Sequence, residues 1–196
     1  MDEEASKLMR IIFLILFVCY GIKLWFTRGD HIYRGDGYSI EFPVGWTDYE
    51  KVNPDRRRKK KKFSVEDRDK PKTVTYVTEE VDQDSGAYAA SMSISSLKLE
   101  TAAWLEDEWG KIVMSVMEQG NRIIDKGQVL IDEEESKWIF YESPPQLNAV
   151  TFEFYIITEG NMFYRISFTA LRNSFDKYRP EFERAKDTMK IKKGLF

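Results

Sequence analysis

Apolar residues recur along this chain in three patterns, and each predicts a different element. Residues 11–26 read IIFLILFVCYGIKLWF and are apolar on every face, whereas a helix packed into a soluble core is normally amphipathic. At a rise of 1.5 Å per residue the run spans about 24 Å, close to the ~30 Å hydrocarbon core of a bilayer. It is expected to be a membrane anchor. Ile11, Phe13 and Leu16 belong to its apolar body, Trp25 and Phe26 suit the interfacial belt, and Lys23 can reach the headgroups. No small-residue cleavage site follows, and Phe17 and Val18 precede Cys19 where a lipoprotein signal needs small residues, so the anchor is read as uncleaved. Lys7 and Arg10 are nearly balanced by Arg28 and Arg34 across the run. The short head, residues 1–10, favours an inside N-terminus and a domain outside the cytoplasm.

The second pattern is alternation. Residues 27–36 read as a polar linker, and 37–196 as one globular domain. Residues 38–42 alternate apolar and polar, as a half-buried strand does, and Pro43 and Gly45 then turn the chain and leave Trp46 at the edge of the core. Residues 72–80 and 89–99 are predicted strands joined through the turn 82–86, with Met92 and Ile94 on one face. Residues 137–142, 149–158 and 162–169 are three more, and 123–131 a less regular one. The turn 159–161 makes a hairpin of the last two. Val150, Phe152, Phe154 and Ile156 share one face; Met162, Tyr164, Ile166 and Phe168 share one on the partner strand.

The third pattern is helical. Leu105, Trp109, Ile112, Val113, Val116 and Met117 form one stripe, on a helix predicted to be capped by Thr101 and to stop before Gly120. Trp104 lies at the margin of the stripe, where it can serve as a partial contact site or, the favoured reading, pack into the core. Phe175, Tyr178, Phe182, Ala185 and Met189 mark a second helix over 174–190. Pro180 is expected to split it and to stand in the first turn of the main helix. Phe163 and Arg165 face away from Tyr164, where a helical layer is expected to cover them. Strands, helix, strands, helix, with hairpin connections, read as an α+β domain on an antiparallel sheet.

Composition narrows the chemistry. The chain has 196 residues, 42% hydrophobic and 32% charged, which fits one folded domain with an appendage and excludes a disordered or polytopic chain. A net charge of −3 argues against a dedicated nucleic-acid binder. One cysteine and one histidine leave no material for disulfide frameworks, zinc sites or Ser-His and Cys-His catalysis. Phosphate-binding, dinucleotide-binding, nucleophile-elbow and zincin motifs are all missing. The Asp82–Gly86 turn lacks the EF-hand spacing, and residues 132–135 read as a solvated acidic turn. No catalytic, cofactor or metal residue is therefore nominated. A carboxylate-based hydrolase is a third reading for which no pair can be named.

Two surface features stand out. Arg56, Arg57, Arg58, Lys59, Lys60, Lys61 and Lys62 are consecutive cations within a polar excursion over 54–71. They suit a solvated loop, a contact with anionic lipid or an acidic partner at about 1 kcal/mol per residue near a charged leaflet, or, against the overall acidity, nucleic acid. Pro144 and Pro145 make a stiff, exposed loop that can serve as a docking ledge.

The stretch GYSIEFPVGW at 37–46 resembles the start of a PsbP-like domain. Residues 163–168, then Phe175, Tyr178 and Phe182, then 188–191, are similar to its far end, so the resemblance covers 33–191. It implies an α/β/α sandwich on a mostly antiparallel twisted sheet. It also implies a role in assisting larger assemblies without catalysis, and attachment outside the cytoplasmic membrane. The matched motifs mark turns and core positions and transfer no ligand residues; the basic run departs from the pattern. Taken together, the expectation is a single-pass, membrane-tethered, non-catalytic binding module, an accessory subunit needing no cofactor. It meets the bilayer through 11–26 and a protein partner through its domain, with no nucleic acid. The alternative is a cytoplasm-facing electrostatic adaptor that uses residues 56–62.

Overall fold

The computed structural model describes residues 32–53, 71–83, 85–159 and 161–192. The expected anchor at 11–26 and the basic run at 56–62 lie outside them. Among the described residues no helix is long and apolar enough to cross a membrane.

Alternating side chains build two antiparallel sheets. The larger has seven strands in the order β3 (Thr47–Asp48), β4 (Lys72–Val77), β5 (Ala90–Lys98), β9 (Met162–Leu171), β8 (Ala149–Ile157), β7 (Glu134–Glu142), β6 (Arg122–Ile131). The smaller pairs β1 (Ile32–Gly35) with β2 (Tyr38–Glu41), and β2 with β10 (Lys190–Ile191). β1 falls in the segment read as a linker. Three helices complete the described chain: α1 (Tyr49–Val52), α2 (Leu105–Glu118) and α3 (Phe175–Asp187).

Each face of the large sheet has its own core. On one, Met92, Ile94, Phe154, Ile166 and Phe168 meet Tyr38, Ile40 and Phe42 of the small sheet and Tyr178, Phe182 and Ala185 of α3. On the other, Val116 of α2 packs on Ile139, Tyr141 and Tyr155, flanked by Leu105, Trp109, Ile112 and Val113. The layers are thus those of the expected sandwich, with the small sheet sharing one layer with α3.

Pro180 does not split α3, which runs unbroken through it. Proline removes the N–H that would bond the carbonyl of Asp176. Both residues are exposed, so water can serve that carbonyl, while Phe175, Tyr178, Phe182 and Ala185 hold both halves of the helix to the core. α3 ends at Asp187, and Lys190 leaves it for β10. Thr101 is not the cap of α2: the helix opens at Leu105, after Trp104, whose extended backbone turns the chain in. Met117 is 59% exposed because it stands one step, about 100°, round the helix from buried Val116, beyond the strands that α2 covers.

Candidate functional site

Backbone pairing brings two turns and a helix start to one end of the large sheet. Lys72, Ser96, Tyr164, Ile156, Ser136 and Val129 are successive partners across β4, β5, β9, β8, β7 and β6. Past this row project the β6–β7 turn, with Asp132 and Glu133 at φ 51° and 70°, and the β8–β9 turn, with Asn161 at φ 58°. Left-handed backbone at two central positions is what a tight hairpin requires. Residues 102–106 pass beside both turns, and a cleft of about 640 Å³ lies between them.

Asp132 fixes the first turn. Its Oδ1 accepts from Lys190 Nζ at 2.9 Å and its Oδ2 from the Ile191 amide at 2.7 Å. The acidic turn is thus partly structural, with Glu133, Glu134 and Glu135 facing the cleft from it. Glu159 adds a fourth carboxylate from the second turn. The lysine of the cleft wall, Lys137, has a side chain only 8% exposed, forms an ion pair with Glu106, and sits 5.3 Å above the Trp109 ring. The neighbouring Ser136 alternates onto the opposite face of the sheet, across from Val129 and Ile156; it is 2% exposed, and its Oγ has no hydrogen-bond partner.

Trp104 lines the cleft from the start of α2 and is 71% exposed, contrary to its expected place in the core. Exposed carboxylates beside an open indole make a surface suited to cations, through charge and through the ring face. The sequence held one signal for it, a tryptophan immediately ahead of a helical stripe. Lys137 had none.

Two other features were weighed as sites. Between the sheet and α3 runs a groove of about 300 Å³ floored by Trp138, Phe152 and Phe154. Its rim cations are neutralised, Arg179 by Glu183 at 2.9 Å and Lys186 by Asp187 at 2.6 Å. On the opposite face Glu153, 5% exposed, accepts from Ser167 Oγ at 3.0 Å and from the Tyr155 hydroxyl. Burial first, and the Glu153 charge second, push the Tyr155 and Tyr141 hydroxyls well above the ordinary tyrosine range. Both are held as hydrogen-bond donors, and the network is internally satisfied. Phe163 packs beneath α2 as expected, whereas Arg165 is exposed. Among the described residues no group of three His, Cys, Asp or Glu is placed to hold a metal ion.

Pro144 and Pro145 stand at the other end of β7 from the cleft. Pro144 is half-buried and Pro145 exposed, in a loop closed by Leu147 N to Pro144 O at 2.9 Å and Asn148 N to Pro145 O at 3.2 Å. The loop follows Glu142, which Arg122 and Arg172 clasp together; Arg122 above all holds its carboxyl below the usual range. Loop and cleft thus stand at opposite ends of the flank along which α2 runs, with Gly120 just past its end lying beside Pro144.

This arrangement is a PsbP-like α+β fold, with a charged cleft at one end of its sheet. No protein-family model matches the chain, and no curated protein matches its sequence. Solved structures match its shape. The cyanobacterial PsbP, CyanoP, of Synechocystis sp. PCC 6803 is 12% identical, with 82% of this chain and 91% of that one covered and a TM-score of 0.54. LpqN of Mycobacterium tuberculosis, involved in cell envelope biogenesis, is 10% identical over 86% of this chain and 95% of that one, at a TM-score of 0.53. PA94 of Pseudomonas aeruginosa, of unknown function, is 13% identical over 80% and 93%, at 0.51. At such identities the likeness is one of fold.

Proposed function

We propose that the chain is a membrane-tethered, non-catalytic binding module, an accessory subunit of a membrane-associated assembly held outside the cytoplasm by residues 11–26. One observation carries this reading. Of ten large apolar side chains that stand exposed among the described residues, six belong to one flank: Trp104, Met114, Met117, Ile124, Leu130 and Leu147. That flank is built by α2 with its lead-in, by edge strand β6 and by the loop after β7. Apolar surface concentrated in this way marks a contact for another macromolecule. The fold likeness to a cyanobacterial PsbP and to a cell-envelope protein supports the same reading. Tethering strengthens such contacts by confining the domain near its partners.

Purification of the tagged full-length protein from its native membrane in mild detergent, with stoichiometry by mass spectrometry, tests the proposal. A stoichiometric protein partner that resists high salt is expected, and Met117→Glu with Leu147→Glu should release it. A protein that elutes alone overturns the accessory reading. Salt-sensitive binding of that lone protein to anionic vesicles would put the electrostatic adaptor in its place.

A further inference from the structure

The two edges of the large sheet are unlike. One is β3, which has two residues and runs straight into α1; the other is β6, which has ten. Natural sheets keep their edges short, charged or covered, because a bare row of amides and carbonyls templates another strand. The register of β6 on β7 is unbroken from Asp125 to Ile131. Val129 borders both the cleft on one face of the sheet and the groove on the other, so no described element closes the edge between them.

The turn after β6 determines which of its groups are bare. Asp132 and Glu133, both left-handed, form a two-residue hairpin loop, in which the Ile131 carbonyl accepts from the Glu134 amide. Hydrogen-bonded and open pairs alternate along an antiparallel ladder, so Val129, Gly127 and Asp125 also bond inward to β7. Lys126, Gln128 and Leu130 therefore aim their amides and carbonyls away from the sheet. The Lys126 amide agrees, since it donates to Asp125 Oδ1 at 2.8 Å. Among the described residues no backbone group meets those of Gln128 and Leu130.

Charge is graded along the same stretch. It opens with Arg122, carries Lys126, and passes directly into Asp132, Glu133, Glu134 and Glu135. A second β6 laid parallel and in register would set like beside like, whereas one laid antiparallel turns the basic start toward the acidic turn. About a two-fold axis at Gly127, the outward groups of Lys126 face those of Gln128. Leu130, 66% exposed, then faces Ile124, 45% exposed, and Gly127 brings no side chain to the centre.

We propose that β6 pairs antiparallel with β6 of a second copy of this chain, joining two seven-stranded sheets into one. The pairing does not rest on the accessory reading, whose test residues Met117 and Leu147 belong to α2 and to the loop after β7. A dimer purified without any other protein would overturn that reading and uphold this one.

Native mass spectrometry of the full-length protein released from detergent micelles, over a dilution series, counts the chains. Pairs are expected. Gln128→Pro removes an outward amide and spares the ladder to β7, so it should give single chains that remain folded. Leu130→Asp, at an exposed position, should do the same and supplies the comparison if the proline variant fails to fold. Hydrogen exchange reads the strand itself: the Gln128 amide should exchange about tenfold more slowly in the parent than in Leu130→Asp. Single chains in the parent at every concentration would overturn the proposal. Pairs that survive both substitutions, or that leave the Gln128 amide exchanging as fast as in the variant, would overturn it by placing the contact elsewhere.

Discussion

Trp46 donates its indole N–H to Glu181 Oε2 at 2.8 Å, across 135 residues of chain. The same ring meets Tyr178 and Phe182 edge-on, each at 5.8 Å between centroids. The turn after β2 is thereby fastened to the middle of α3. Trp46→Phe keeps most of the apolar contact and loses the hydrogen bond, so a cost of about 1 kcal/mol is expected. Trp46→Ala removes both and should cost about 3–5 kcal/mol. Urea denaturation measures both; a phenylalanine variant as unstable as the alanine one would show that the hydrogen bond outweighs the packing.

Gly127 has no room for a side chain. A Cβ there would lie 2.7 Å from Cζ2 of Trp138, its partner across β6 and β7. Gly127→Ala should destabilise by about 1–3 kcal/mol through overpacking. In a Trp138→Leu background the same change should cost clearly less, since the ring that it strikes is gone. A double-mutant cycle reads that difference, and an additive result would show that the clash is not what limits position 127.

The tyrosines around Glu153 are among those that tie stability to alkaline pH. Burial and the Glu153 carboxylate raise the folded-state pKa of Tyr155 and Tyr141 above the ordinary 10.0. A raised pKa contributes stability that is fully present below the unfolded value and is lost as pH climbs beyond it. Urea midpoints should therefore fall as pH rises above 10, and Tyr155→Phe should flatten that fall. An equally steep fall in the variant would assign it to other groups.

Glu142 acts at the acid end. Its carboxyl is held below the usual 4.5, by Arg122 first and Arg172 after it, so its contribution is present above that value and is lost as pH falls below it. Glu142→Gln should lower stability at neutral pH and leave a shallower decline below pH 4.5, followed by the same denaturation at stepped pH. A variant whose acid decline matched that of the parent would show that the pairs contribute nothing measurable.

What the sequence reveals here follows periodicity. The stripe of α2, the shared face of Phe152, Phe154 and Ile156, and the plug made by Trp46 were all legible, because repeated spacing places side chains on one side. β1 and β10 were not: Ile32–Gly35 alternates only between exposed and half-buried positions over four residues, and the Lys190–Ile191 pairing with Tyr38 and Ser39 of β2 joins segments about 150 residues apart. Pro180 misleads because the helix rule concerns an isolated segment, whereas here four buried side chains outweigh one missing hydrogen bond. The cleft is assembled from turns of separate hairpins and the start of a helix, and it has no period to read.

The bonds from Asp132 to Lys190 and Ile191 give the finishing of the cleft a place in time. A chain leaving the ribosome can form the β6–β7 hairpin once residue 142 has emerged, yet the clamp on its turn waits for residue 191. One wall of the cleft is thus braced only after every other described strand has been made. A nascent domain would be compact before this turn was fixed, and β10 would complete the wall.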